Sequence, residues 1–504
     1  MFKYFSVGFV CLFTGLPCRA LAGPEPAAPA KTAIILSVPV VVTGLPARAD
    51  YVVVTTPVDF GAILGSRKVT GLVDERTIRL FRVDAGDRET QEPVQYSPAV
   101  QPRATGAKLL PNTRPAVSYR GEIPAGEKGP SQAGTLTWAS LDSKQGTAQY
   151  RLEFAVPRDG RAVQVPFPPQ NFRHFDPEGR PSPVEQFPVM QLHPQWPFDG
   201  VVRMNRGTEL LTTYHIGPTT APSSAGEVRR PFFYPVIGPD GIPLTEFGKP
   251  HDPTGSHRHH YSLWIAHHDV GGKDFWSEQG GSIVHEDLAL MEDGPVFCQV
   301  VQNTRWVFER LDLMHERRTL SAYNTPDGLR LLDIEMEFTP AGKAPLVLGK
   351  TTFGFLSARV AESMDVFDGG GEILTSRGDR NEAGAHLKHG DWIDQSGPIA
   401  PGKWGGISIF DHPSNPNHPT GFHCRNDGWA CASFNIDQPY TLEAGKPLLL
   451  KYRVLLHRGN AQTGEVAQRY DEYAAQPEVT FGQAVESQGP SSGPVVGPAP
   501  PPAK

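Results

Sequence analysis

The sequence predicts an all-β protein made of two successive β-sandwich units, and three observations predict it. Glycine and proline number 52 and 50 of 504 residues without a collagen period, so the chain turns often. Short runs rich in β-branched and aromatic residues recur between these turn formers at strand length. Only two short segments have helical character, which excludes an all-helical fold. A chain this long exceeds one ordinary core and divides into domains.

Taken in order, Met1-Phe2-Lys3, the apolar run Phe5 to Leu16 and Ala20-Leu21-Ala22 before Gly23 form a signal-peptide pattern over residues 1–22. The apolar run is shorter than the ~20 residues of a spanning helix, and no later segment is long enough. The chain is therefore expected to be exported to the periplasm or beyond, with no membrane span in its mature form.

An amino-terminal β-sandwich is expected over residues 31–165. Its strands are Ile34 to Val42, Tyr51 to Val54, Thr77 to Val83, Gly134 to Trp138 and Tyr150 to Val156, with one helical turn or two at Phe60 to Gly65. Residues 166–197, crowded with Pro, Phe and Gln, read as a linker or surface strap. A larger antiparallel two-sheet unit follows over residues 198–474. Its clearest strands are Thr208 to Tyr214, Val296 to Val301, Leu331 to Phe338 and Pro447 to Leu456. Gln462 to Tyr473 closes the unit as a helix with Val466, Tyr470 and Tyr473 on one side. Residues 475–504 carry too little apolar content to fold and are expected to be a disordered tail.

Net charge is −7 and no Lys/Arg block is long enough to track phosphates, so nucleic acid is not an expected partner. Cys298, Cys424 and Cys431 remain after signal removal. They are too few for a disulfide scaffold, and Cys424 and Cys431, placed around Asp427-Gly428, fit either a hairpin bridge or separate burial.

Histidine marks the chemistry. Fifteen of seventeen lie after residue 200, seven of them between His251 and His285. Read as a strand, Ser256 to Asp269 puts His257 and His259 on one face and His267 and Asp269 on one face. His259 and His260 are candidates for proton transfer, with Asp274 or Glu278 as the partner carboxylate. Trp264 and Trp276 offer flat surfaces for a sugar ring, and His268 and Asp269 offer polar contacts. A second knot, Ile409 to Arg425, contains Asp411, His412, His418, His423 and Arg425 and is stiffened by Pro413, Pro416 and Pro419, which holds polar groups at low entropic cost. Of these, His423 joins the catalytic candidates, while Asp411, His412, His257 and Arg425 join the binding set, Arg425 for an acidic sugar group. The two knots are expected to converge on one face. A divalent metal on His257, His259, His268 and Asp269 is the alternative to a metal-free His/carboxylate site. The metal-free reading needs fewer assumptions, and no cofactor is expected.

Four motifs, Arg230-Pro231-Phe232-Phe233-Tyr234-Pro235, His257-x-His259-His260-x-Ser262-Leu263-Trp264, His268-Asp269-Val270-x-Gly272-x-Asp274-Phe275-Trp276 and Phe410-Asp411-His412-Pro413 with His423-x-Arg425, resemble the PmoA-like family of exported bacterial proteins. That family is a domain of unknown function long mislabelled as methane oxygenase. The resemblance runs from about Val201 to Tyr473. It implies a mutarotase-like supersandwich in which His and carboxylates act on sugars. Residues 51–100, through Thr56-Pro57-Val58-Asp59-Phe60 and Asp74 to Leu80, resemble the amino-terminal β-domain that precedes exo-acting rhamnogalacturonan lyases. Together these resemblances imply a carbohydrate partner and an enzyme of polysaccharide breakdown, by lyase, hydrolase or epimerase chemistry. The alternative is a non-catalytic carbohydrate-binding or surface-assembly protein.

Overall fold

The computed structural model describes residues 33–98, 132–140, 143–144, 146–158, 190–194, 200–217, 228–249, 257–277 and 280–487. The expected signal segment, most of the expected linker and the candidate carboxylate Glu278 lie outside these residues. Among the described residues no helix is long and apolar enough to cross a membrane.

The fold is all-β, as its residue pattern predicts. In the strand Ala33–Thr43 the side chains of Leu36, Val38, Val40 and Val42 point into a core while Pro39 and Thr43 face water, the period-two alternation of a half-buried strand. This strand pairs along its whole length with Thr147–Pro157, which pairs in turn with Asp74–Val83. A three-stranded sheet of Val52–Asp59, Ala133–Ser140 and Val94–Pro98 packs against it through Phe60, Trp138 and Phe154, all buried. The short helix Phe60–Ser66 starts where the Asp59 carboxylate accepts the Ala62 N–H at 3.0 Å, satisfying a donor that the first helical turn leaves unpaired.

Part of the segment expected to be a disordered tail is ordered, and the rest of it lies outside the described residues. Glu478–Phe481 and Val485–Glu486 pair with the free edge of Ala33–Thr43, because Val479, Phe481 and Ala484 supply enough apolar contact with the amino-terminal core to hold them there. Met190–Pro194, within the expected linker, is likewise an edge strand against Val201–Arg206, anchored by the buried Met190 and Leu192.

The large unit is two antiparallel sheets face to face. The nine-stranded sheet runs in the order Met190–Pro194, Val201–Arg206, Glu209–His215, Phe232–Val236, Leu263–His267, Gly354–Arg359, Trp429–Ser433, Gly421–Arg425 and Lys388–His389. The eight-stranded sheet runs Gly281–Glu292, Phe297–Phe308, Leu311–Tyr323, Leu329–Pro340, Leu448–Arg458, Lys403–Asp411, Trp392–Ala400 and Glu372–Thr375. Between them Ile265, Phe355, Phe422 and Ala432 from one sheet meet Trp306, Leu320, Ile334, Phe338 and Val454 from the other. The helix Val466–Ala474 packs Val466, Tyr470 and Tyr473 on the outer face of the eight-stranded sheet beside Tyr51. There Arg469 reaches Asp50 at 3.2 Å and Glu472 at 3.0 Å, tying the two units together.

Cys424 and Cys431 do not bridge. Both are free thiols, and their paired strands set Cys424 opposite Ala430 and Cys431 opposite His423, so Cys424 faces the core and Cys431 the outer side of the sheet.

Candidate functional site

The register of the nine-stranded sheet builds the floor. Trp264 pairs with Ser357, Ser357 with Cys431, and Cys431 with His423. Since directly paired residues share a face, these four form one row across the outer side. Two residues along the strands, and so on the same face, Arg359 pairs with Trp429 and Trp429 with Arg425, forming a second row. Over these rows the loops enclose a cavity of about 240 Å³ lined by His257, His259, His260, Trp276, Phe353, His423, Arg425, Asp427 and Trp429.

The histidine run is not the strand its alternation suggests. Residues 257–260 form a turn closed by the His260 N–H to the His257 carbonyl at 3.0 Å, and the strand begins only at Leu263 after Ser262 adopts a φ of +61°. A left-handed residue breaks the pleat, so His257 and His259 are presented by a turn above the sheet. Arg230 fixes that turn. Its guanidinium, buried over the Tyr261 ring at 4.5 Å, donates to the carbonyls of His259 (2.6 Å), Phe275 (2.7 Å) and Trp276 (2.9 Å), so one cation holds the His259 and Trp276 loops together.

His260 is buried, stacked on Trp264 with ring centroids 5.1 Å apart and 4.9 Å from Trp429. Burial, reinforced by Arg359, His259, His257 and Arg230, pushes its pKa well below the ordinary value. His423 packs between Phe353 and Trp429, and burial lowers its pKa to about 3. Its Nδ1 lies 3.2 Å from the Thr352 carbonyl. Since a carbonyl only accepts, the proton of this neutral ring sits on Nδ1 and the lone pair on Nε2. Trp276, Trp429 and Phe353 form the aromatic wall, Trp276 lying 5.6 Å from Trp429 and 5.4 Å from Phe353.

The carboxylate at the cavity is Asp427. It lies 3.3 Å from His257 Nε2 and 3.4 Å from Arg359, whose other terminal nitrogen donates to the Asp427 carbonyl at 2.9 Å. Behind Arg359, Glu246 approaches to 3.9 Å, and burial raises its pKa to about 7. Arg425, at the rim, pairs with Glu382 at 2.8 Å.

The two histidine-bearing segments meet here through His257, His259, His260, Trp276, His423 and Arg425. The other sequence candidates lie elsewhere or behind. Trp264 is fully buried under His260. Asp274 accepts the backbone N–H of Trp276 at 2.6 Å and the Ser277 hydroxyl, so it shapes the turn that presents Trp276 and does not line the cavity. His268 is exposed past the strand end, and Asp269 accepts the Gly272 N–H at 2.8 Å in the adjoining turn. Asp411 is buried, accepting from Asn415, His418 and the Thr420 N–H; it knits the Pro-rich loop. His412 bonds Ser414 and meets the Tyr473 ring on the far side. The candidate metal set is therefore split between two turns, and no three His, Cys, Asp or Glu among the described residues stand close enough to hold a metal.

Asp427, Trp429, Phe353, Arg359 and Arg230 complete the site beyond the sequence candidates. Asp427-Gly428 signals a hairpin turn, and Gly428 takes a φ of +99° there. That local signal conceals the second role of Asp427, which only strand register discloses.

A model of DUF6807, described as a family of unknown function, matches residues 201–471. The match carries the unknown-function family over the segment marked by the sequence motifs and provides no link to the PmoA-like label. No curated protein matches the chain. Among solved structures, one described as "Putative kojibiose phosphorylase from human microbiome" is similar at 12% identity and a TM-score of 0.24, over 53% of this chain and 28% of its own. This chain thus spans little more than a quarter of that structure, and a likeness of this size carries no functional argument.

Proposed function

Because the chain belongs to DUF6807, a family of unknown function, its chemistry has to be read from its own residues, and we propose that it is an exported carbohydrate-active enzyme of polysaccharide breakdown. One observation carries this reading. Three buried polar atoms without a hydrogen-bond partner among the described residues, His260 Nδ1, His423 Nε2 and Asp427 Oδ1, belong to residues around a single cavity whose wall is Trp276, Phe353 and Trp429. Buried polar atoms are almost always satisfied, so such a cluster calls for a polar occupant, and the aromatic wall calls for an apolar face on it. A sugar ring has both.

Carboxylate-pair hydrolysis needs two acids facing each other about 5–9.5 Å apart. The described lining holds one carboxylate, Asp427, already engaged by Arg359 and His257. Proton transfer from carbon fits these residues better, which favours elimination or epimerisation. In an elimination, neutral His423, its proton affinity raised by the carboxylate of an acidic sugar that arrives beside it, takes the proton from the carbon next to that carboxylate. That electron pair forms the new carbon–carbon double bond, and the glycosidic oxygen leaves with a proton from His257, held by Asp427. Arg425 receives the sugar carboxylate, and His259 hydrogen-bonds a hydroxyl.

A non-catalytic binding role is favoured by a different observation, the prior pairing of Arg425 with Glu382 and of Asp427 with Arg359, which leaves the charges committed before a ligand arrives. Turnover separates the two. Incubation with a panel of pectic and sulfated oligosaccharides, read by mass spectrometry that resolves unsaturated from hydrated products, is expected to give unsaturated or epimerised products. His423→Ala is expected to slow their formation by about 10²–10⁴-fold, the usual contribution of a positioned base. Binding with no change in any oligosaccharide would give the site to the binding reading.

A further inference from the structure

At about 240 Å³ the cavity lies just below the roughly 300 Å³ at which pockets for drug-sized ligands begin, the scale of a small ligand such as a single sugar ring. Its rim is tied to a single residue, Asn426, which stands between the lining residues Arg425 and Asp427. The N–H groups of Val366 and Phe367 donate to the Asn426 carbonyl at 3.0 and 3.1 Å. The Asn426 amide oxygen accepts the Glu382 N–H, and its own N–H donates to the Glu382 carboxylate, both at 2.9 Å. The Asp365 carboxylate accepts from the N–H groups of Asp368 and Gly369, so the loop carrying Phe367 is fixed from both sides. Phe367 is nevertheless 72% exposed. A single exposed apolar residue on a surface needs no explanation. A large aromatic ring exposed on a loop whose backbone is hydrogen-bonded to the residue between two cavity-lining side chains is a different case.

We propose that the cavity takes the end of a saccharide chain, one ring inside it and the following ring laid on Phe367; this rests on the carbohydrate reading above. The ring inside meets Trp276, Phe353 and Trp429, and the next ring leaves past Arg425 and Asn426 onto the Phe367 face. The substrate class is then an oligosaccharide recognised from its terminus, with two ring subsites of unequal burial.

The test is a ladder of mono- to tetrasaccharides of neutral, uronic and sulfated sugars, titrated calorimetrically against the full chain and against Phe367→Ala. In any series that binds, affinity is expected to rise about tenfold from one ring to two, the worth of one aromatic platform, and then to level off. Phe367→Ala is expected to erase that rise and leave the monosaccharide unchanged. Equal weakening of monosaccharide and disaccharide in Phe367→Ala would overturn the proposal, as would affinity that keeps climbing through the tetrasaccharide. If no member of any series binds, the carbohydrate reading itself fails and this inference with it. Phe367→Tyr, which keeps a ring of the same shape, is expected to retain the disaccharide gain and so separates stacking from a folding defect.

Discussion

His423 concentrates the chemistry of the site in one imidazole. Its pKa of about 3 against an ordinary 6.5 means that the unfolded chain binds a proton which the folded chain refuses across that interval. The contribution of His423 to stability is therefore complete above about pH 6.5 and is lost as the pH falls toward 3. His423→Gln, which retains a donor for Thr352 and does not titrate, is expected to melt with a shallower dependence on pH between 6.5 and 4 than the native chain. Identical slopes in differential scanning fluorimetry would contradict the assignment. Arg230 acts by position: it touches carbonyls and never the cavity. Arg230→Met is expected to cost about 2–3 kcal/mol, the scale of lost charged hydrogen bonds at a buried site, and to weaken ligand binding as the His259 and Trp276 loops part. Arg230→Lys is expected to recover little of either, because an ammonium cannot reproduce the fork that spans three carbonyls. Thermal melts paired with calorimetry check both variants.

At the scale of elements, the strands with clean alternation were legible, and so was the closing helix with its Val466, Tyr470 and Tyr473 face. The strand Leu311–Tyr323 was not, for a physical reason. Its inward positions read Met314, Glu316, Arg318 and Leu320, so two charged residues occupy core sites and hide the apolar period. They are buried together, with Arg318 Nε 2.7 Å from Glu316, whose carboxylate also accepts from Thr304 (3.1 Å) and Trp306 (2.8 Å). Glu316→Ala leaves an uncompensated buried cation and is expected to cost about 3–5 kcal/mol, whereas replacing both Glu316 and Arg318 by methionine is expected to restore most of it. Chemical denaturation of the two variants beside the native chain decides this. The site divides in the same way. His257, His259, His260, His423 and Arg425 announce themselves as rare residue types in dense runs. Asp427 hides in turn chemistry, and Phe353 and Trp429 look like core residues until the sheet register brings them beside His423.

For the whole molecule, the feature with the widest reach is the returning segment 478–486. It hydrogen-bonds Phe481 to Glu478 against Val40 to Thr43 and Glu486 and Val485 against Leu36 and Ser37, covering an edge that would otherwise present unpaired backbone groups. Ending the chain at Gln476 is expected to lower the melting temperature of the amino-terminal unit and to promote association through Ala33–Thr43, while the cavity keeps its ligand affinity. Light scattering during a thermal ramp, with calorimetry below the transition, tests both halves of that statement. The same pairing sets a clock on biosynthesis. The first described strand leaves the ribosome some 440 residues before its last partner does, an interval on the order of tens of seconds at ordinary elongation rates. Through that time the nascent amino-terminal sheet has an open edge, and its final hydrogen bonds form only after the histidine-lined unit has been synthesised.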